Sequence, residues 1–342
     1  MLKIKVESLK PGVKLGKDLF SFDSQLLLPV GTVVTQDHLD SLAKRKIEDV
    51  YVAEEVHQHR GKEKPFESVY ADSLHAIKSF LMEARLGQPL ETDEVNLAVD
   101  ALFNEVFDEL NVFKGIRLMK DKDDYLFTHS INVSMLAMLV GRWMKYKDQQ
   151  IKELGTAGLL HDIGKVFIVD SILNKPGKLT DEEYEEMKKH STLGFELLSR
   201  QGWIDPIVAH AVLYHHERAD GSGYPSRIKN YGNNAYAAII AVCDVFDAIT
   251  SSRVYSGKRS PFTAADILWE ESFGKLDPVI TKCFYGKITS SLIGSQVLLS
   301  DGQHGEVIFI DAFQPTRPIV KVQDTFVNLA LDRSVNIMEV ID

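Results

Sequence analysis

Apolar positions recur at helical spacing through the middle of the chain and change to short alternating runs at its two ends. Near the start, Leu26-Leu27-Leu28, the turn residues Pro29-Val30-Gly31 and Thr32-Val33-Val34-Thr35 read as a hairpin. Leu39, Leu42 and Ile47 then mark a helix over residues 37–46, and Val50-Tyr51-Val52 reads as a closing strand. From Glu54 to Glu67 the apolar pattern lapses, which marks a linker. Two amphipathic helices follow, one with Leu74, Ile77, Phe80 and Leu81 on one face, the other carrying a stripe from Val95 through Val99, Leu102, Phe103, Val106 and Phe107 to Leu110. The same spacing predicts helices over 125–144, 151–160, 181–199, 206–214, 235–250 and 263–273. Thr180 with Glu183 three residues later is a capping box at the start of one of them. After Ser290 the period falls to two in Gln296–Leu299, Gly305–Ile310 and Ile319–Val322, and Asp301-Gly302 is a hairpin turn.

These elements predict a mainly α fold: a helical bundle with a small α+β N-terminal domain and a small β C-terminal unit. The expected divisions are 1–53 for the N-terminal domain, 54–67 for the linker and 68–119 for connecting helices. Residues 120–288 form the helical metal-binding domain, and 289–342 the β unit. Packing, dimerisation or partner contact are the roles expected of the terminal units.

Composition narrows the classes. At 342 residues, 44% apolar and 26% charged, the chain has the make-up of an ordinary globular protein of two or three domains. No stretch approaches the roughly 20 apolar residues of a membrane span; the run from Ser134 to Val140 is soon followed by Arg142 and Lys145. The N-terminus lacks the apolar block of a secretory signal. Two cysteines, Cys243 and Cys283, make no disulfide framework, so a reducing cytoplasm is the expected compartment. The net charge of −10 disfavours a nucleic-acid polymer or an anionic membrane as partner. A small anionic ligand would need local positive charge from metal ions or a few Lys and Arg.

Of 11 histidines, six lie between 129 and 216. His161-Asp162 and His215-His216 are adjacent pairs, His129 and His190 stand singly, and Asp244 follows. The gaps are 32 residues from His129 to His161, 28 from Asp162 to His190, 25 to His215 and 28 from His216 to Asp244. Each gap fits one helix and its return, so successive helices would bring one ligand each to the same level of a bundle. Imidazole and carboxylate suit Fe, Mn or Zn. Five histidines and two aspartates exceed the needs of one ion and fit two that share a carboxylate, the arrangement that acidifies water and neutralises phosphoryl charge. A lone His on a helix is more often a hydrogen-bonded core residue, and His38, His75 and His210 receive that reading; His57 and His59 belong to the linker.

The run His161-Asp162-Ile163-Gly164-Lys165, then His215-His216-Glu217-Arg218 and Asp220-Gly221-Ser222-Gly223-Tyr224-Pro225, resembles the HD-GYP branch of the HD phosphohydrolases. The likeness spans roughly residues 124–285 and includes Leu173–Thr180, Met187–His190 and Asp244–Thr250. Residues 1–53 also look like the small domain often found ahead of it.

The resemblance implies an HD-type bundle that hydrolyses cyclic di-GMP to the linear dinucleotide and then GMP, with a metal-bridging hydroxide as nucleophile. It implies two divalent ions, Fe or Mn: one held by His129, His161, Asp162 and Asp244, the other by Asp162, His190, His215 and His216. It makes Asp162 and Lys165 catalytic, with Lys165 and Arg253 gripping phosphate. It places Gly223, Tyr224 and Pro225 at the substrate and makes their loop a contact for signalling proteins. Tyr224 has two readings, a rim donor or guanine-stacking surface and a packed structural tyrosine. Gly221 and Gly223 are expected to supply positive φ in the turn, and Pro225 to stiffen its exit. Two departures stand out. Some members bind a third metal through a Glu where this chain has Tyr125, so a binuclear site is expected. Some carry a basic residue where this chain has Ser256, with Lys258 the nearest substitute. Cys243 reads as a buried apolar residue. Two alternatives differ in class or substrate: a cyclic-dinucleotide sensor with little turnover, and an enzyme acting on another dinucleotide such as cyclic GMP-AMP.

Overall fold

Among the described residues, ten α-helices and nine strands are built from sequence signals that are mostly local. The computed structural model describes residues 65–106, 125–251 and 260–341, together with 2–6, 15, 17, 19–20, 26–28, 32, 34–35, 38–39, 42, 47 and 49–52. The expectations for the linker histidines and for Phe107, Leu110, Arg253, Ser256 and Lys258 lie outside these residues, as does the side chain of Tyr125. The chain divides into two compact units, residues 1–65 and 66–342.

In the first unit, β1 (Leu2–Lys5) pairs antiparallel with β4 (Asp49–Val52), and β2 (Leu19–Phe20) with β3 (Leu26–Leu28). The expected hairpin is therefore corrected. Leu26–Leu28 takes its partner from before it in the chain, and the described residues among 32–35 form no strand. Val6, Leu15, Val34, Leu42 and Val50 make the core of this unit.

The second unit runs α1 (Phe66–Arg85), α2 (Thr92–Glu105), α3 (Tyr125–Trp143), α4 (Asp148–Leu160), α5 (Asp170–Leu173) and α6 (Asp181–Ser199). It continues with α7 (Pro206–Tyr214), α8 (Ala235–Thr250), α9 (Pro261–Glu271) and α10 (Pro278–Ser290). Short 3-10 segments cover Ile163–Phe167 and Lys229–Asn233. Side-chain caps fix the starts: Thr180 with Glu183 for α6, Asp205 before Pro206, Asn234 for α8, Ser260 before Pro261 and Asp277 before Pro278.

The central helix is α3, buried on every side from Thr128 to Gly141: its second half, from Met135 to Gly141, is apolar all round instead of striped, and its first half buries His129, Asn132 and Ser134 among apolar residues. α4 packs against it closely. A Cβ on Gly158 would lie 2.7 Å from Ser134 Cα, and the Ser134 hydroxyl donates to Gly155 O at 2.8 Å. At the end of the chain, β5 (Gln296–Leu299), β6 (His304–Phe309), β7 (Ile319–Val322), β8 (Thr325–Asn328) and β9 (Ile337–Val340) form one antiparallel sheet in the order β8-β7-β6-β5-β9. Its apolar face, including Val297, Val307 and Val320, joins Phe262 of α9. α10, β8 and β9 are additions to the sequence reading.

His75 is corrected too: it is exposed on α1, on the far side from the buried stripe of Ile77, Phe80 and Leu81. Cys243 is fully buried.

Candidate metal centre

Two of the site's histidines stand at helix C-termini, where the last carbonyls lack partners within the helix. His161 is the C-cap of α4 and its Nδ1 bonds Gly158 O at 2.8 Å; His215 is the C-cap of α7 and its Nδ1 bonds Val212 O at 2.7 Å. His190, inside α6, bonds Met187 O through Nδ1 at 2.7 Å. In each case the carbonyl takes the Nδ1 proton, so Nε2 presents its lone pair to the centre. Helix C-termini also carry partial negative charge, which favours cations.

The seven expected ligands converge. Asp162, His190, His215 and His216 offer donor atoms within 4.8 Å of one another, and so do His129, His161 and Asp244. Asp162 stands between the two groups. Its Oδ1 lies 3.4 Å from His190 Nε2, and its Oδ2 lies 3.3 Å from His161 Nε2 and 3.8 Å from His129 Nε2. On the far side, Asp244 Oδ1 is 3.1 Å from His129 Nε2, and Asp244 Oδ2 is 3.9 Å from His216 Nδ1. His161 Nε2 and Asp162 Oδ1 are buried with no hydrogen-bond partner. Orphaned polar atoms at such depth are costly unless a ligand completes them. Nitrogen and carboxylate donors converging in this way fit divalent transition ions.

Charge is arranged to keep the donors available. Burial would raise the carboxyl of Asp162, but facing His161 and the Lys165 ammonium hold it well below the usual carboxylate range. Asp244 is likewise held low against its burial, chiefly by His129. Burial pushes His190 down to about 4, and burial with the neighbouring imidazoles lowers His215 and His216. These rings are neutral at neutral pH, as metal ligation requires. Burial opposes a charge on His129, yet its hydrogen bonds to Asp244 and Asp247 outweigh it and raise that ring.

Lys165 lies on the 3-10 segment, whose three-residue turn sets it above Asp162, with Nζ 2.5 Å from Oδ2. That segment touches α6 at Gly164, where a Cβ would fall 1.9 Å from His190 O. Only glycine fits there.

The Gly-Tyr-Pro loop needs its glycines for two different reasons. Gly221 has φ +83. Gly223 does not adopt positive φ, which corrects the expectation; a Cβ there would sit 2.4 Å from His216 O and Glu217 Cα. The buried carboxylate of Glu217 accepts from Ser226 N at 2.7 Å and Ile228 N at 3.2 Å, tying the loop down. Pro225 is exposed at its edge, after a cis peptide. The Tyr224 ring stacks on His216 at 4.6 Å, and Lys188 Nζ lies 5.6 Å from its centroid. The geometry thus gives Tyr224 a packing role on a candidate ligand, while leaving it on the wall of a cleft of 450 Å³ with Tyr184, Lys188, Thr192 and Arg227. A larger cleft, 690 Å³ beside Trp203 and Lys152, is lined by none of the candidate ligands.

The sequence reading passed over three buried residues behind His129. Asp247 accepts from His129 Nδ1 at 2.8 Å and from Asn132 Nδ2 at 3.0 Å, and Tyr70 Oη donates to Asn132 Oδ1 at 2.9 Å. Of these only Asp247 left a local trace, on the ligand face of α8 three residues after Asp244. By contrast His210, bonded to Pro206 O and packed on Phe195 and Tyr214, belongs to neither ligand group.

Residues 115–280 match the family described as HD domain. A cyclic di-GMP phosphodiesterase from Pseudomonas aeruginosa is 35% identical over 249 residues, 72% of this chain and 59% of the relative. A 3'3'-cGAMP-specific phosphodiesterase from Vibrio cholerae is 36% identical over 157 residues, 46% of this chain and 36% of the relative. The chain spans about half the length of the curated relatives it matches first. The HDG"Y"P protein from Bdellovibrio bacteriovorus shares the fold, with TM-score 0.54, 16% identity, and coverage of 83% of this chain and 98% of that one. Among the described residues, no helix is long and apolar enough to cross a membrane.

Proposed function

The chain belongs to the HD-domain family through residues 115–280, and from that premise we propose that it is a metal-dependent phosphodiesterase that hydrolyses cyclic di-GMP. The observation that carries this reading is Asp162, whose two oxygens face two separate groups of nitrogen and carboxylate donors. His129, His161, Asp162 and Asp244 would hold one ion, and Asp162, His190, His215 and His216 the other, with Fe or Mn as the metal. When bound, such a pair acidifies water and neutralises charge on a phosphoryl group.

The rest falls to the chain's own residues. The rings of His161, His190 and His215 turn Nε2 inward through bonds from Nδ1 to carbonyls. Lys165 can turn from Asp162 Oδ2 to a phosphoryl oxygen, whose negative charge it would share. In hydrolysis, oxygen from water bonds to phosphorus, the bond from phosphorus to the 3′ oxygen breaks, and that oxygen takes up a proton. The product is the linear dinucleotide, and a second cycle gives GMP. Arg253 is proposed as a further phosphate ligand. Tyr184 and Lys188 bring aromatic surface and positive charge to the cleft beside the centre, which suits a nucleotide. The exposed loop edge at Ser222, Pro225 and Arg227 is proposed as the contact for signalling partners. The unpaired Cys243 and Cys283 support a cytoplasmic setting.

A second reading, hydrolysis of 3'3'-cyclic GMP-AMP, is favoured by the likeness to the enzyme from Vibrio cholerae. Product analysis on both dinucleotides, with purified Mn-loaded protein, separates the two. Changing His161 and Asp162 together to alanine should abolish turnover of either and leave the helical circular dichroism intact. Retained turnover would refute the proposed centre, and ligand binding without turnover in the parent protein would mark a sensor.

A further inference from the structure

α1 lies ahead of the segment that matches the HD domain, yet one of its side chains reaches the site. Tyr70 is 1% exposed, on a face that also buries Phe66, Ser73, Ile77, Phe80, Leu81 and Ala84. That hydroxyl lies 2.9 Å from Asn132 Oδ1 and 3.3 Å from Thr128 O, so it grips α3 on both sides of His129. The Asn132 amide then donates from Nδ2 to Asp247 Oδ1 at 3.0 Å, and Asp247 Oδ2 takes His129 Nδ1 at 2.8 Å. From these contacts we infer that Tyr70 is a positioning residue for the donor group of His129, His161 and Asp244, acting through Asn132 and Asp247. The inference rests on the proposed metal centre.

The physical reason is the two-faced chemistry of an amide. Asn132 can meet Asp247 with its NH2 or with its carbonyl, and only the first is attractive. The orientation follows from its neighbours. Asp247 favours the orientation with Nδ2 towards it and Oδ1 towards α1, and the Tyr70 hydroxyl reinforces it by donating to Oδ1 at 2.9 Å, with Thr128 O at 3.3 Å as its second acceptor. Asp247 is then held at Oδ1 by Asn132, while its Oδ2 meets His129 Nδ1 at 2.8 Å and the Ser251 hydroxyl at 3.1 Å, which keeps Nε2 inward. Without the hydroxyl, Asn132 Oδ1 loses its donor from α1 and the amide is held from the Asp247 side alone. The support of the His129 ring is then looser while every candidate ligand is still present.

The test is Mn2+ binding to the full-length chain, followed by calorimetry and by metal analysis after gel filtration. Loss of a support bonded directly to a metal-bound His costs about 10- to 100-fold in affinity. Tyr70 is two bonds further out, and Tyr70→Phe should weaken one of two Mn2+ ions by about 3- to 10-fold and leave the other within twofold. The kcat on cyclic di-GMP should fall with KM unchanged. Asn132→Leu breaks the same relay at the next link and should give the same split. The double variant Tyr70→Phe/Asn132→Leu should lose no more than Asn132→Leu alone, and this pair serves equally if Tyr70→Phe is recovered in poor yield. Two full-affinity ions in both single variants would overturn the inference, as would equal weakening of both ions. A parent chain that binds no Mn2+ would overturn the proposed centre itself.

Discussion

Replacing Gly164 by alanine puts a methyl group where the structure has no room. The new Cβ would lie 1.9 Å from His190 O, 2.6 Å from Gly194 N and 2.7 Å from His190 C, all of them backbone atoms that no change of rotamer can move. Real Cβ contacts do not fall below 3.0 Å, so the 3-10 segment and α6 must part by about 1 Å. Overpacking of this kind costs ~1–3 kcal/mol, and backbone on both sides of the clash places Gly164→Ala near the top of that range. The catalytic cost should be larger. The residues that separate are Asp162 and Lys165 on one side and His190 on the other, where Asp162 Oδ1 and His190 Nε2 now stand 3.4 Å apart. A misplacement of 1 Å in such groups can lower a rate by ~10²-fold. Urea unfolding gives the first quantity, and chromatography of cyclic di-GMP hydrolysis products the second. Gly286→Ala in α10 is the control: it has nothing within 4 Å of its Cβ and should gain ~0.5–1 kcal/mol from helix propensity. A Gly164→Ala protein with parental midpoint and parental turnover would refute the close approach on which the centre is built.

Two further outcomes are expected. Tyr224→Ala removes the ring stacked at 4.6 Å on His216 and should weaken Mn2+ at one of two sites about tenfold, whereas Tyr224→Phe should stay within twofold; an equal loss in both variants would assign the role to the hydroxyl instead. Metal-stripped protein should lose stability as pH falls from about 6.5 towards 4. His190, His215 and His216 take protons in the unfolded chain before the folded one, because their folded values are lowered, with His190 at about 4. His129, shifted upwards, opposes them, and three rings against one set the sign. Urea midpoints that rise on acidification over this window would contradict the burial argument.

The residues that converge at the candidate centre were legible in the sequence because metal binding would select such residue types and the helical repeat spaces them. His161-Asp162 and His215-His216 stand where a helix ends and turns back, so pairs of donors at intervals of one helix already point to a shared centre. Their supports were not legible. Tyr70 and Asn132 are 62 residues apart, and Asn132 and Asp247 are 115 apart, and nothing in a tyrosine or an asparagine announces a partner so distant. Other omissions were readable in principle. Asp277-Pro278 is a cap followed by a first-turn proline, and Ile280, Phe284 and Ile288 make a stripe at intervals of four, so α10 could have been placed. His75 stands two residues, about 200° of helix, from Ile77, which already turns it away from the core. The N-terminal hairpin failed for another reason: three leucines carry no alternation from which a partner or a register can be read.

The direction of charge ties the fold to the proposed chemistry. With its imidazoles serving as neutral metal ligands, the centre would set the carboxylates of Asp162, Asp244 and Asp247 against the Lys165 ammonium, in a chain whose net charge is already −10. The C-termini of α4 and α7 add partial negative charge at the same place. Such a pocket repels a phosphodiester and attracts cations. Two divalent ions, as proposed, would reverse its sign, turning an excess of two negative charges into about two positive ones, which would match the two phosphates of a cyclic dinucleotide. The buried carboxylates are therefore needed twice: they make cation binding favourable, and their number sets how much positive charge remains for the substrate. Removing Lys165 would leave the ligands in place while lowering that residue of positive charge. Removing Asp162 would take away the one carboxylate that faces both donor groups, and with it the reason for two ions to lie close enough to act on one phosphorus.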